Sequence, residues 1–316
     1  MIELLVLKEK LRAFYGKYDM YVVPAMKFFL AFTTFYLLNQ NIGFMGKLKN
    51  PMVPLLLGVI SAFLPYGAIT FLAAVFMLLH LYSVSFEMAL VMLIVLVIVG
   101  ILYYGFQPGV SYLLLITPIL FFLKIPYAVP LLVGLSGSLV SVIPVSCGVF
   151  FFYAIQYVKQ NAGILTNDAS VDITQKYAQV IKALFNNQLM MVMIAAFAVG
   201  ILVVYVIRTL SMDYAWWVAI IAGTVAQVAA VFVGDFMFNV SVPMGELLFG
   251  AVVSVGVAAI YTFFAFAVDY SRTEYLQYED DDYHYYVKAV PKIVVSAPDV
   301  KVQKINARRG QRNMRD

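Results

Sequence analysis

The sequence predicts an all-α, polytopic helical membrane protein, and three observations carry that prediction. Of 316 residues, 63% are hydrophobic and 12% charged, against about 45–50% and about 25% in ordinary soluble domains. Mean hydropathy is +0.90. The apolar residues run continuously over about 20 positions at a time, the length a helix needs to cross a bilayer. Barrel strands would alternate polar and apolar instead. The composition excludes a soluble enzyme, a nucleic-acid-binding module and a disordered chain. It leaves about eight to ten transmembrane segments, two of them drawn as Pro/Gly-broken helical hairpins, and a short cytosolic tail.

Residues 1–18 read as an interfacial amphipathic helix. Leu4, Leu7, Leu11 and Phe14 recur every three or four positions, and Lys8, Lys10, Arg12 and Lys17 lie on or near the other face. Such a helix lies in the headgroup plane with its cations toward lipid phosphates. Residues 19–158 read as a transmembrane bundle. It opens with a span at 20–38, in which Lys27 is expected to snorkel toward the headgroups. The stretch 51–83 is too long for one span and is cut near Pro65-Tyr66-Gly67. A span follows at 86–104, its Glu87 favoured at a helix start by the dipole. His80 is expected in an interfacial aromatic belt. After a short apolar segment at 110–123, the stretch 126–158 is again long, with a break expected between Ser141 and Pro144.

Residues 159–187 carry more polar side chains and read as an extracytoplasmic loop. Three further spans follow within 188–269, at 188–207, 214–234 and 243–269. Basic residues set the orientation. Lys8, Lys10, Arg12 and Lys17 precede the first span, and nine more lie between Arg272 and Arg315. Both termini are therefore expected in the cytoplasm of a cell-membrane protein. Lys47, Lys49 and Lys124 would then fall outside, against the trend.

Short echoes recur along the chain. Val53-Pro54-Leu55-Leu56-Leu57-Gly58 resembles Val129-Pro130-Leu131-Leu132-Val133-Gly134, with a partial third copy from Val242 to Gly250. Each glycine has a small residue four later: Ala62, Ser138 and Ser254. Small-xxx-small spacing lets helices approach closely, and it is also compatible with a homo-oligomer. Val99-Gly100-Ile101-Leu102 is echoed at Val199-Gly200-Ile201-Leu202.

Catalytic and metal chemistry find no support. There is no phosphate loop, no HExxH and no GxSxG elbow. One cysteine, Cys147, and two histidines, His80 and His284, cannot build a Cys/His zinc site. No cofactor, metal or catalytic residue is expected. The candidate transport-path or helix-break residues are Pro54, Gly58, Pro130, Gly134, Pro144, Asp235 and Glu246. The last two carboxylates close one span and open the next, either as a pair that shares a cation or a proton or, the plainer reading, as two acids in water at the outer interface.

The tail, 270–316, is acidic and aromatic first, then basic. Tyr278, Glu279, Asp280, Asp281, Asp282, Tyr283, Tyr285 and Tyr286 form a candidate partner-binding surface, since tyrosine adds contact area at low entropic cost. Lys292 to Ser296 reads as an extended strand. The expected partners are the lipid bilayer and a cytosolic protein at this tail, with no nucleic acid.

Two functions fit these features. One is a permease-like protein moving a small neutral or hydrophobic solute; broken helices place free backbone groups around a midplane site, and the scarcity of intramembrane charge argues against ion coupling. The other is a non-catalytic scaffold that anchors a cytosolic complex through its tail. A polar cavity between 51–83 and 126–158 is the expectation of the first, and a solid interior there of the second.

Overall fold

The computed structural model describes residues 2–106, 109–167, 173–240, 242–266, 274–279 and 283–290. The chain divides into two compact units, Tyr18–Phe266 and a second formed by Met1–Lys17 with Ala267–Asp316. The described elements of the larger unit are all helices.

Helix α1 (Ile2–Ile42) is interrupted at Tyr18, whose φ of −121° and ψ of 23° are not helical. Asp19 restarts it by accepting the Met20 N–H at 2.7 Å. The remaining helices are α2 (Met52–Ser61), α3 (Tyr66–Tyr82), α4 (Phe86–Phe106), α5 (Tyr112–Phe122), α6 (Ala128–Ser136), α7 (Val142–Asn167), α8 (Ile173–Phe185), α9 (Gln188–Thr209), α10 (Ala215–Phe238) and α11 (Met244–Phe266). Six helical stretches among the described residues are long and apolar enough to cross a membrane: Val6–Ile42, Phe86–Tyr103, Leu139–Gly163, Tyr177–Thr209, Ala215–Phe238 and Met244–Ala265. Their outward side chains are apolar; Phe236 is 93% exposed and Val252 71%. That surface is compatible with lipid rather than water. The chain is a multi-pass helical membrane protein.

Local chemistry explains several helix starts. Ser85 caps α4: its Oγ accepts the Met88 N–H at 3.2 Å and donates to Glu87 Oε2 at 2.7 Å. Glu87 thus sits at a helix start, as expected. Asn187 does the same for α9, accepting the Met190 N–H at 3.1 Å. The first long stretch breaks where expected, with extended Pro65 (φ −68°, ψ 154°) immediately before α3. The second does not break between Ser141 and Pro144. It breaks at Gly137 and Ser138, both extended, and a 3-10 turn at Leu139–Ser141 leads straight into α7. The two pieces are therefore unequal: nine residues in α6 and 26 in α7.

The segment expected as a loop, 159–187, is largely helical. It holds the end of α7 and all of α8. Val180 and Leu184 of α8 are buried, while Ile181 and Phe185 are about half exposed, and the helix packs on α4 and α7.

The bundle is organised around α6. This helix is only about 13 Å long at 1.5 Å per residue, yet seven of its nine residues are buried. It packs on α5, α9, α10 and α11. The α9–α10 pair packs most closely, and α7 joins α9 to α5. A compact cluster of Leu131, Leu135, Val204, Ala219, Ile220 and Ala258 fills the space between α6, α9, α10 and α11. Helix α1 reaches the bundle through aromatic side chains: Phe35 lies edge-on to Phe76 at 5.4 Å.

The smaller unit is described over residues 2–17 of α1 and an antiparallel hairpin, β1 (Glu274–Glu279) with β2 (His284–Ala289). Leu4, Leu7, Leu11 and Phe14 are exposed at 45–54%, the exposed apolar stripe an interfacial helix requires. Lys8 departs from the expected pattern and is buried.

Candidate functional site

Three of the expected helix-break residues turn out to start helices. Pro54, Pro130 and Pro144 each occupy the third position of a helix, in α2, α6 and α7. A proline there lacks an N–H that would have no intrahelical partner anyway, so it costs nothing. The glycines that follow two of them make close approaches. A Cβ at Gly58 would lie 3.2 Å from the Phe28 and Phe32 side chains of α1. One at Gly134 would lie 2.6 Å from Val204 Cβ of α9. The Pro-x-x-x-Gly echo is thus a repeated local device, a proline that opens a helix and a glycine that admits a neighbour. The Val-Gly-Ile-Leu echo shares no role: Gly100 faces open space, whereas Gly200 meets Gln227 and Pro130.

Side chains not singled out from the sequence hold α6 in place. Val204 is fully buried and reaches both Gly134 of α6 and Gly223 of α10. Gln227 of α10 is also buried; its Nε2 donates to the Gly223 carbonyl at 3.2 Å, and its Oε1 has no hydrogen-bond partner among the described residues. At the other end of α6, Arg208 of α9 donates from Nη1 to the Leu135 carbonyl and from Nη2 to the Gly137 carbonyl at 3.2 Å. Its guanidinium rests 5.1 Å from the Tyr205 ring centre. These are carbonyls that a broken helix leaves without N–H partners.

The two expected intramembrane polar residues are both anchored by neighbours. The Lys27 ammonium lies 5.4 Å over the Tyr66 ring, a cation–π contact between α1 and α3. His80 is fully buried rather than in an interfacial belt. Its Nδ1 accepts the Met45 N–H at 3.3 Å, and Phe76 meets it edge-on at 4.6 Å.

Asp235 and Glu246 are not joined by a hydrogen bond or ion pair among the described residues. Glu246 instead pairs with Lys124, Nζ to Oε1 at 2.8 Å. The Asp235 carbonyl closes α10, where Asn239 adopts φ 50°. A carboxylate matched to a lysine has no need to share its charge with a second acid.

The described residues of the larger unit line cavities, of which two bear on function. One, of about 400 Å³, sits between α3, α4 and α5 and touches Phe151 of α7. Its lining includes Phe71, Leu78, Leu96, Val97 and Leu114, and carries no charged side chain. Among its few polar groups, the Thr70 hydroxyl is engaged with the Tyr66 carbonyl at 3.0 Å and the Ser111 carbonyl at 3.3 Å. This is not the polar cavity expected between 51–83 and 126–158: it is apolar, it lies beside the first stretch, and the second contributes only Phe151. Pro54, Gly58, Pro130, Gly134 and Pro144 do not line it. The other cavity, of about 190 Å³, lies beside the Lys124–Glu246 pair.

In the tail, Tyr278 stacks on Tyr285 at 5.3 Å across the hairpin, with Tyr283 6.1 Å from Tyr285. Glu279 faces His284 at 3.2 Å, and Lys288 lies 5.9 Å over Tyr275. Tyr286 is 75% exposed. Asp280, Asp281 and Asp282, and the strand expected at 292–296, lie outside the described residues. No group of three metal-ligating side chains occurs among the described residues.

No protein family, curated protein or solved structure matches this chain.

Proposed function

We propose that the protein is permease-like and handles a small neutral or hydrophobic solute. The observation that supports this reading is the cavity of about 400 Å³ between α3, α4 and α5. Its size falls within the range of about 300–1,000 Å³ typical of small-molecule sites. A lining with no charged side chain suits an uncharged guest, because a desolvated ion would find no partner there. The two short Pro-started helices, α2 and α6, are read as the short arms of hairpins that leave the helix count between six full spans and the larger number the hydropathy allows.

Gly100 offers a clean test. A side chain at this position enters open space in the cavity, and replacing a mid-helix glycine raises helix propensity. Gly100→Phe is expected to fold and insert normally while filling the cavity. In nanodiscs, a diazirine-bearing long-chain alcohol should crosslink to Thr70 and Leu96 in the original protein, and roughly tenfold less in the variant, a change of about 1.4 kcal/mol. Equal crosslinking at those two residues would remove the cavity as the solute site.

The stacked tyrosines of the hairpin favour a second reading, a tail that docks a cytosolic protein. It requires the tail to be cytosolic, as the flanking basic residues suggest. In intact cells, an impermeant thiol reagent should label a cysteine placed at position 167 and leave one at position 311 untouched. Labelling of 311 from outside would overturn both the orientation and the cytosolic partner.

A further inference from the structure

The smaller cavity has a chemistry of its own. Its inner wall carries Phe121, Tyr127, Phe152 and Tyr153, and its mouth carries Lys124 and Glu246. The rings form one contiguous group: Phe121 stacks on Phe152 at 4.5 Å and meets Tyr153 edge-on at 6.0 Å, and Phe152 meets Tyr153 at 5.2 Å. Aromatic walls beside a carboxylate attract organic cations, through the negative faces of the rings and the full charge of the acid.

A cation already holds the carboxylate. Lys124 reaches Glu246 at 2.8 Å, and both side chains remain more than half exposed, so the pair is weak and its partners exchangeable. Lys124 takes φ 62° just past the end of α5, where its N–H donates to the Phe121 carbonyl at 3.0 Å, so its backbone stays in place when the side chain turns away from Glu246. The amino end of α11 opposes a cation with roughly half a positive charge, but Glu246 stands in its first turn and overrides it with a full negative one.

We propose that this cavity binds an organic ammonium group, such as a quaternary amine, which displaces the Lys124 ammonium from Glu246 and rests against the Tyr153 and Phe121 rings. The site is distinct from the uncharged cavity between α3, α4 and α5, and it stands whether or not that cavity carries a solute.

The test uses the full chain in nanodiscs of choline-free lipid, with binding read by saturation-transfer NMR and calorimetry. Tetramethylammonium should bind at least about tenfold more tightly than its uncharged isostere 3,3-dimethylbutanol. Glu246→Gln should weaken it by about tenfold, Tyr153→Leu by a similar factor, and Tyr153→Phe by little, since the ring persists. Lys124→Met should tighten it, because the resident competitor is gone. Lys124 and Glu246 are exposed, so their variants retain the fold. Equal affinity for the uncharged isostere, or no binding of tetramethylammonium, overturns the proposal. So does a zwitterion, glycine betaine, that binds only while Lys124 is present, because Lys124 would then be a ligand and not a competitor.

Discussion

Gly134→Ala is expected to lower the melting temperature of the purified protein by roughly 4–8 °C. A Cβ at this position would stand 2.6 Å from Val204 Cβ and 2.7 Å from Val204 Cγ1. Neither atom can swing away, because a valine Cβ is fixed to the backbone and its χ1 is restricted in a helix. Relief requires α6 and α9 to separate, and overpacking of this kind costs about 2 kcal/mol, which corresponds to the stated shift at about 2–4 °C per kcal/mol in a chain of this size. The neighbour is identified by a second substitution. Val204→Ala by itself leaves a cavity and is destabilising. Combined with Gly134→Ala, the new methyl occupies space vacated by the valine, so the double variant should be more stable than the sum of the two losses by about 1 kcal/mol. Strict additivity would show that Val204 is not what Gly134 admits.

Arg208→Met is expected to cost about 2–3 kcal/mol, since it removes charge-assisted hydrogen bonds and leaves two carbonyls without partners in a partly dry setting. Methionine keeps the length and the apolar stem, so lost packing is a minor part of the effect. Arg208→Lys is the discriminating variant. An ammonium can reach one of the Leu135 and Gly137 carbonyls but lacks the planar fork that serves both, and stability should fall between the other two. A lysine variant as stable as the original protein would show that the second contact contributes nothing.

The sequence reveals the spans because each is a continuous apolar run, and α4, α9, α10 and α11 begin and end within a few residues of where the hydropathy changes. The break at Pro65 was legible, since the proline stands directly before a new helix. The break expected between Ser141 and Pro144 lies instead at Gly137 and Ser138, because Pro144 opens a helix, while nothing in the sequence marks the extended backbone of Gly137. Helix α8 does not stand out in the sequence because polar residues dominate 159–187, although Val180 and Leu184 stand at helical spacing. The groups that fix α6 could not be read at all. Arg208 meets carbonyls more than 70 positions away, and Lys124 meets an acid 122 positions away. Such pairings exist only once the helices have assembled.

The guanidinium of Arg208 also has an electrostatic consequence. It stands in the last turn of α9 and on the last carbonyls of α6, so two helices point their negative ends at one place. Each end carries roughly half an elementary charge, and two of them amount to about one unit, which a single arginine neutralises. Without it the two helix ends would repel each other where water is scarce and screening weak. The short helix can therefore stop inside the bundle because its neighbour brings the one positive charge that balances both.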